Sequence, residues 1–150
     1  MRKFFIDTVA VNFWRPELEY IQSVVDVRFS YSATPMLSLS FDGATHGFDG
    51  YTTWWDNPIG QTYRADIHIF PSFASQSYLF LHEMGHALGL DHHGHSLNET
   101  LMMEGDDLNV RYSVAEVNAI TRYTPGDILD LQARYGTPDG ISELWGDWRD

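Results

Sequence analysis

The chain has 150 residues, enough for one domain with its own core, and with 43% hydrophobic, 15% aromatic and 20% charged residues it is not a disordered chain. Nine basic residues against 21 acidic ones give a net charge of −12, a field that repels phosphate backbones and anionic lipid, so neither nucleic acid nor a membrane surface is expected as a partner. Cysteine is absent, which removes disulfides, thiolate metal sites and cysteine nucleophiles together.

Arg2, Lys3 and the apolar run from Phe4 to Ile6 look like the start of a signal peptide. Asp7, Thr8 and Asn12 interrupt that run and no small-residue cleavage site follows, so the segment reads as a first strand. No stretch approaches the roughly 20 apolar residues of a membrane span. Leu18, Ile21, Val24 and Val25 after Pro16 have helical spacing and predict a helix over 17–25. Val25, Val27, Phe29 and Tyr31 then alternate as a strand, and so do Leu37, Leu39 and Phe41 within 36–41.

Residues 42–62 read as a long loop with a short strand near 51–55, in which Trp54 and Trp55 serve as core or loop anchors. A compact strand at 65–70 stops at Pro71, and a helical pattern from Ser75 to Leu88 ends at Gly89, suited to a left-handed cap. Ser113 with Glu116, and Thr124 with Asp127, have the spacing of capping boxes. Pro125 opens a last helix that carries Ile128, Leu131 and Tyr135 and stops at Gly136. The acidic tail from Thr137 to Asp150 has no assignment. Strands first and helices last give an α+β class, in one domain over residues 1–150.

Five of the seven histidines (His82, His86, His92, His93, His95) fall within one short stretch, and residues 82–92 read H-E-M-G-H-A-L-G-L-D-H. On a helix, His82 and His86 are one turn apart on the same face, so both rings reach one ion at about 2.0–2.1 Å. The next turn would carry a third ligand past the metal. Gly89 can take positive φ, break the helix and let His92 approach from another side. Three neutral nitrogens leave a fourth position open, the arrangement of a catalytic Zn2+ ion. Glu83, beside the first ligand, is then the general base for the water held there. His93 and His95 compete formally with His92 for the third place.

This H-E-x-x-H-x-x-G-x-x-H stretch resembles the zinc signature of the metzincin metallopeptidases, with Leu101-Met102-Met103 similar to their downstream Met-turn. Met102 is the expected turn methionine and Met103 its rival. The resemblance spans residues 14–136 and selects His92 over its neighbours. It implies a metzincin-like (zincin) fold: a twisted, mostly parallel sheet with an antiparallel edge strand at 65–70, an active-site helix and a C-terminal helix. It further implies a secreted zinc endopeptidase, a single catalytic domain for which matrixin-like and serralysin-like both stand open. In it Glu83 activates a zinc-bound water, and a monomer binds an extended peptide along strand 65–70.

Where serralysins and astacins carry a tyrosine two residues after the turn methionine, this chain has Glu104, or Gly105 if Met103 is that methionine. His46 and His68 stand alone, without the spacing of a matrixin structural zinc site. Glu104, Asp106 and Asp107 admit three readings: a pocket wall for a basic side chain, a weak calcium site, or a solvated loop. Calcium has no recognisable motif to support it. Two other functions fit the same residues, a catalytically silent metal- or peptide-binding module and a zinc hydrolase of a non-peptide amide.

Overall fold

The computed structural model describes residues 1–41, 50–71 and 76–138. Within them β1 (Arg2–Ile6), β2 (Val27–Tyr31), β3 (Leu37–Ser40), β4 (Gly50–Asp56) and β5 (Thr62–Ile69) form one sheet in the order β2-β1-β3-β5-β4. β1 pairs in parallel with β2 and β3, β3 in parallel with β5, and β4 runs antiparallel against β5. Side chains at period two turn inward and are buried: Phe4 and Ile6, Val27 and Phe29, Leu37 and Leu39, and Ala65, Ile67 and Ile69. Helices α1 (Thr8–Val24) and α2 (Ser77–Ala87) cover that face and share its core.

The first helix is longer than its apolar spacing predicts. Asp7 caps it, one carboxylate oxygen accepting from the Ala10 amide at 3.1 Å and the other from the Leu39 amide of β3 at 2.6 Å. The helix is broken at Trp14 (φ −129°, ψ 30°), because Pro16 has no N–H to give Asn12 and its ring crowds that carbonyl. Trp14 uses the break to stack on Phe80 of α2, ring centroids 4.5 Å apart.

The lower part holds α3 (Gly105–Arg111), α4 (Val114–Asn118) and α5 (Pro125–Tyr135). The capping boxes of Ser113 with Glu116 and Thr124 with Asp127 are both formed. The segment 104–112 contains a helix where a loop is expected. It has no side-chain cap and buries Leu108, so tertiary packing rather than a local signal forms it. His46 and most of the tail from Thr137 to Asp150 lie outside the described residues, and so do the side chains of Asp106 and Asp107.

The sheet register corrects the expected edge and, with it, the expected partner. Strand 65–70 lies inside the sheet: Ala65–His68 pair with Leu37–Ser40 on one side, and Ala65–Ile69 pair with Trp54–Gly50 on the other. With its amides and carbonyls engaged by two neighbours, that strand has no free ladder for a peptide to join. The antiparallel edge is β4, which lies in the stretch read mainly as loop. Among the described residues no helix is long and apolar enough to cross a membrane.

Candidate metal centre

From Tyr78 to Ala87 every residue of α2 is buried, and His82 and His86 meet open space only at the cavity beside them. His82 Nδ1 donates to the Leu101 carbonyl at 2.6 Å and His86 Nδ1 to the Leu90 carbonyl at 2.6 Å. A carbonyl only accepts, so the proton of each neutral ring sits on Nδ1 and the lone pair on Nε2. Tyr78, one turn before His82, donates its hydroxyl to the same Leu101 carbonyl at 3.2 Å.

The third histidine arrives as the sequence pattern demands. Gly89 has φ +110°. Its amide donates to the His86 carbonyl and the Leu90 amide to the Gly85 carbonyl, both at 2.9 Å, the two bonds of a Schellman turn. That turn aims the Leu90 carbonyl at His86 and brings exposed His92 back, its Nε2 lying 3.3 Å from His82 Nε2 and 3.1 Å from His86 Nε2. His82, His86 and His92 are thereby gathered as a group able to hold one metal ion. His93 instead bonds the Asp91 carbonyl and faces Asp130, and His95 is exposed.

A Cβ on Gly89 would meet Arg134 Nη1 at 3.1 Å and the Gly60 carbonyl at 3.4 Å. Gly89→Ala is therefore expected to cost about 1–3 kcal/mol in denaturant unfolding, from backbone strain and this contact. It should also weaken metal binding by displacing His92. Unchanged values for both would refute the role given to this turn.

Glu83 is 3% exposed, with Oε1 accepting from the Thr52 hydroxyl at 2.8 Å and Oε2 4.0 Å from His82 Nε2. Burial pushes its carboxyl up to about 7, against the Thr52 hydrogen bond, which favours the ionised form. Burial holds His82 down at about 3 and His86 at about 4, so both rings are neutral at physiological pH.

These shifts set the acid response of the metal-free protein. As pH falls below 6.5, the unfolded chain protonates both histidines while the folded protein does not, which destabilises the fold. Between about 7 and 4.5 the folded protein protonates Glu83 first, which acts the other way. Two protons against one leave a net loss of about 1.4 kcal/mol per pH unit from pH 6 to 5. Glu83→Gln should roughly double that slope. Urea titrations in chelator would check both, and a flat profile would contradict the buried neutral histidines.

The short strand expected near 51–55, with Trp54 as an anchor, is present as β4, but the roles it gives Gly50 and Thr52 were not foreseen. Gly50, Thr52 and Trp54 alternate along its inner face. A Cβ on Gly50 would lie 3.3 Å from Glu83 Cγ, Thr52 holds the carboxylate, and Trp54 stacks on His86 with centroids 5.2 Å apart. The period-two spacing was present in the sequence but short and set in a Gly- and Thr-rich stretch. Met102 is fully buried beneath α2, its Sδ 2.6 Å from where a Cβ on Gly85 would stand, whereas Met103 lines the cavity. That cavity, about 660 Å³, opens beside the histidines and is walled by Tyr78, Leu79, Met103, Leu108, Tyr112 and Val117, with Glu104 also on its lining.

A scan against family models and a search of curated proteins gave no match. Among solved structures, the chain is similar to one described as the GM1 bound form of the ECX AB5 holotoxin. The two share 13% identity over 94% of this chain and 83% of that chain, with a TM-score of 0.54. At that identity the likeness carries the fold and not an activity.

These findings correct the assignments drawn from the zinc signature. Membership of the metzincins, whether matrixin-like or serralysin-like, and the zincin label for the fold have no family model behind them, and the structure sharing the fold is named as a toxin. The endopeptidase activity, the silent metzincin-like module and the amide hydrolase rested on that membership and are not carried forward. The monomer acting on a peptide along strand 65–70 is set aside, because the sheet register leaves that strand no free edge and the fold is one shared with a chain titled as part of an AB5 holotoxin. What the comparisons establish for this chain is its fold, one shared with a chain of an AB5 holotoxin.

Proposed function

We propose that this chain is a zinc-binding domain in which His82, His86 and His92 hold one Zn2+ ion and Glu83 stands beside it as a general base. The supporting observation is the packing of three imidazole nitrogens. His82 and His86 both present lone pairs at Nε2, and His92 Nε2, 3.1–3.3 Å from each, has at most one proton to share between them. A cation relieves that repulsion. The spacing also suits it, since nitrogens about 2.05 Å from a tetrahedral zinc are about 3.3 Å apart.

Within this site the backbone does the orienting. The Leu101 and Leu90 carbonyls fix the tautomer and the tilt of His82 and His86, as outer partners of metal-binding histidines generally do. Burial keeps both rings neutral, the state in which they ligate. When bound, zinc supplies a Lewis acid with a fourth position open to water. Glu83, with Oε2 4.0 Å from His82 Nε2, would accept a proton at that position and return it. The adjoining cavity offers a mixed wall, apolar at Leu79, Leu108 and Val117, to whatever group approaches.

Elemental analysis after dialysis tests this, with one zinc per wild-type chain expected and the same in Glu83→Gln. A wild-type protein that retains no zinc would end the proposal.

The holotoxin likeness supports a second statement, that the chain is secreted and works within a multichain assembly. Its −12 charge favours a basic face on the companion chain. Co-expression with the neighbouring secreted products of its source, followed by light scattering, should give a complex larger than one chain. A GM1-vesicle pull-down of that complex would test whether glycan binding is shared. A lone chain throughout would remove the assembly reading without touching the zinc site.

A further inference from the structure

Resting on that zinc-site reading, the geometry points to Thr52 as a positioning residue that keeps Glu83 out of the metal's coordination sphere. A carboxylate next to a metal-binding histidine is itself a good zinc ligand, and a fourth protein ligand would close the site. Three features of β4 act against this. Gly50 lets the strand approach α2 until a Cβ there would be 3.0 Å from the His68 carbonyl and 3.3 Å from Glu83 Cγ. The alternation of β4 then puts Thr52 opposite the carboxylate, with its hydroxyl 2.8 Å from Oε1 and 3.2 Å from the Glu83 carbonyl. A hydroxyl has one proton, and the shorter contact, to a carboxylate oxygen, is the stronger.

Oε1 is thereby tied to the edge strand, while Oε2 stays 4.0 Å from His82 Nε2. Among the polar contacts of the described residues, the Thr52 hydroxyl is the side-chain donor that Glu83 has. Glu83 is 3% exposed and lines the cavity beside the histidines, so the Thr52 hydroxyl is the protein group that fixes where its carboxylate points. Removing the hydroxyl therefore frees the side chain toward the strongest nearby charge.

The test uses the whole chain loaded with Zn2+ or Co2+. Thr52→Val keeps the shape of the side chain and deletes the donor, while Thr52→Ser keeps the donor. Thr52→Val is expected to bind zinc more tightly, by roughly tenfold or more in competition with a chromophoric chelator, because the freed carboxylate adds a fourth protein ligand. Its Co2+ visible band should shift and weaken as a further oxygen joins. Thr52→Ser should restore the wild-type affinity and band, and adding Glu83→Gln to Thr52→Val should cancel both changes. Misfolding would weaken metal binding, so a gain in affinity separates positioning from damage. An unchanged band in Thr52→Val, or a change that survives Glu83→Gln, would overturn the assignment. A wild-type protein with no Co2+ band would instead end the zinc-site reading itself.

Discussion

Replacing His92 with alanine is expected to abolish zinc-dependent stabilisation while leaving the metal-free protein as stable as the wild type. His92 is exposed and belongs to the loop after the Gly89 turn, so its removal leaves no cavity. Its two close contacts are to the other histidines, both of which keep their carbonyl partners. In the metal-free protein the change even separates nitrogen lone pairs that face one another. With zinc at 1,000 times its dissociation constant, a site formed only in the folded state adds about 4 kcal/mol to wild-type stability. His92→Ala should gain almost none of that. Thermal melts of both proteins in chelator and in excess zinc make the comparison. Equal zinc stabilisation of the two would exclude His92 as a ligand and return His93 and His95 to consideration.

Asp127→Ala is expected to damage both the fold and the geometry around His82. The carboxyl group is fully buried and accepts from the Thr100 hydroxyl, from the Leu101 amide at 2.8 Å and from the Thr124 amide at 3.4 Å. Leaving buried donors unpaired costs about 1–3 kcal/mol each, and the capping box of α5 is lost as well, so a total of about 3–5 kcal/mol is expected. The consequence for the site runs through one peptide unit. Asp127 holds the Leu101 amide, and the Leu101 carbonyl holds His82 Nδ1. Zinc affinity should therefore fall by about 10- to 100-fold, the usual effect of losing an outer partner of a ligand. Denaturant unfolding and zinc competition measure the two effects separately. A large loss of stability with unaltered zinc affinity would break the proposed link from α5 to His82.

Both predictions concern groups that stand far apart in legibility. His92 was visible because its relation to His82 and His86 is local: one helical turn, one glycine with positive φ and three further residues define it. The capping spacing also found Asp127, but only as the start of a helix. Nothing local says that its oxygens reach back to the Leu101 amide, a contact that spans 26 residues in the chain. Thr52 and Trp54 were harder still. Their strand is short, lies in a stretch of loop composition and is stabilised by pairing with β5, so its existence depends on a partner and not on its own pattern.

The sequence by itself determined the α+β class, the helix that ends at Gly89, its turn and the order of the candidate ligands, because helical periodicity, capping and positive-φ glycine act within a few residues. The tertiary structure alone decided that β4 rather than β5 is the sheet edge, that the inner face of β4 grips Glu83 and His86, and that the carbonyls of Leu90 and Leu101 set the imidazole tautomers. Those facts depend on which strands pair and how closely they approach. The cost of closing a loop rises only slowly with its length, so chain spacing does little to discriminate among the alternatives. The eleven-residue signature constrains ligand geometry in the same local way, and a substrate is chosen by cavity walls and partner surfaces that long-range packing assembles.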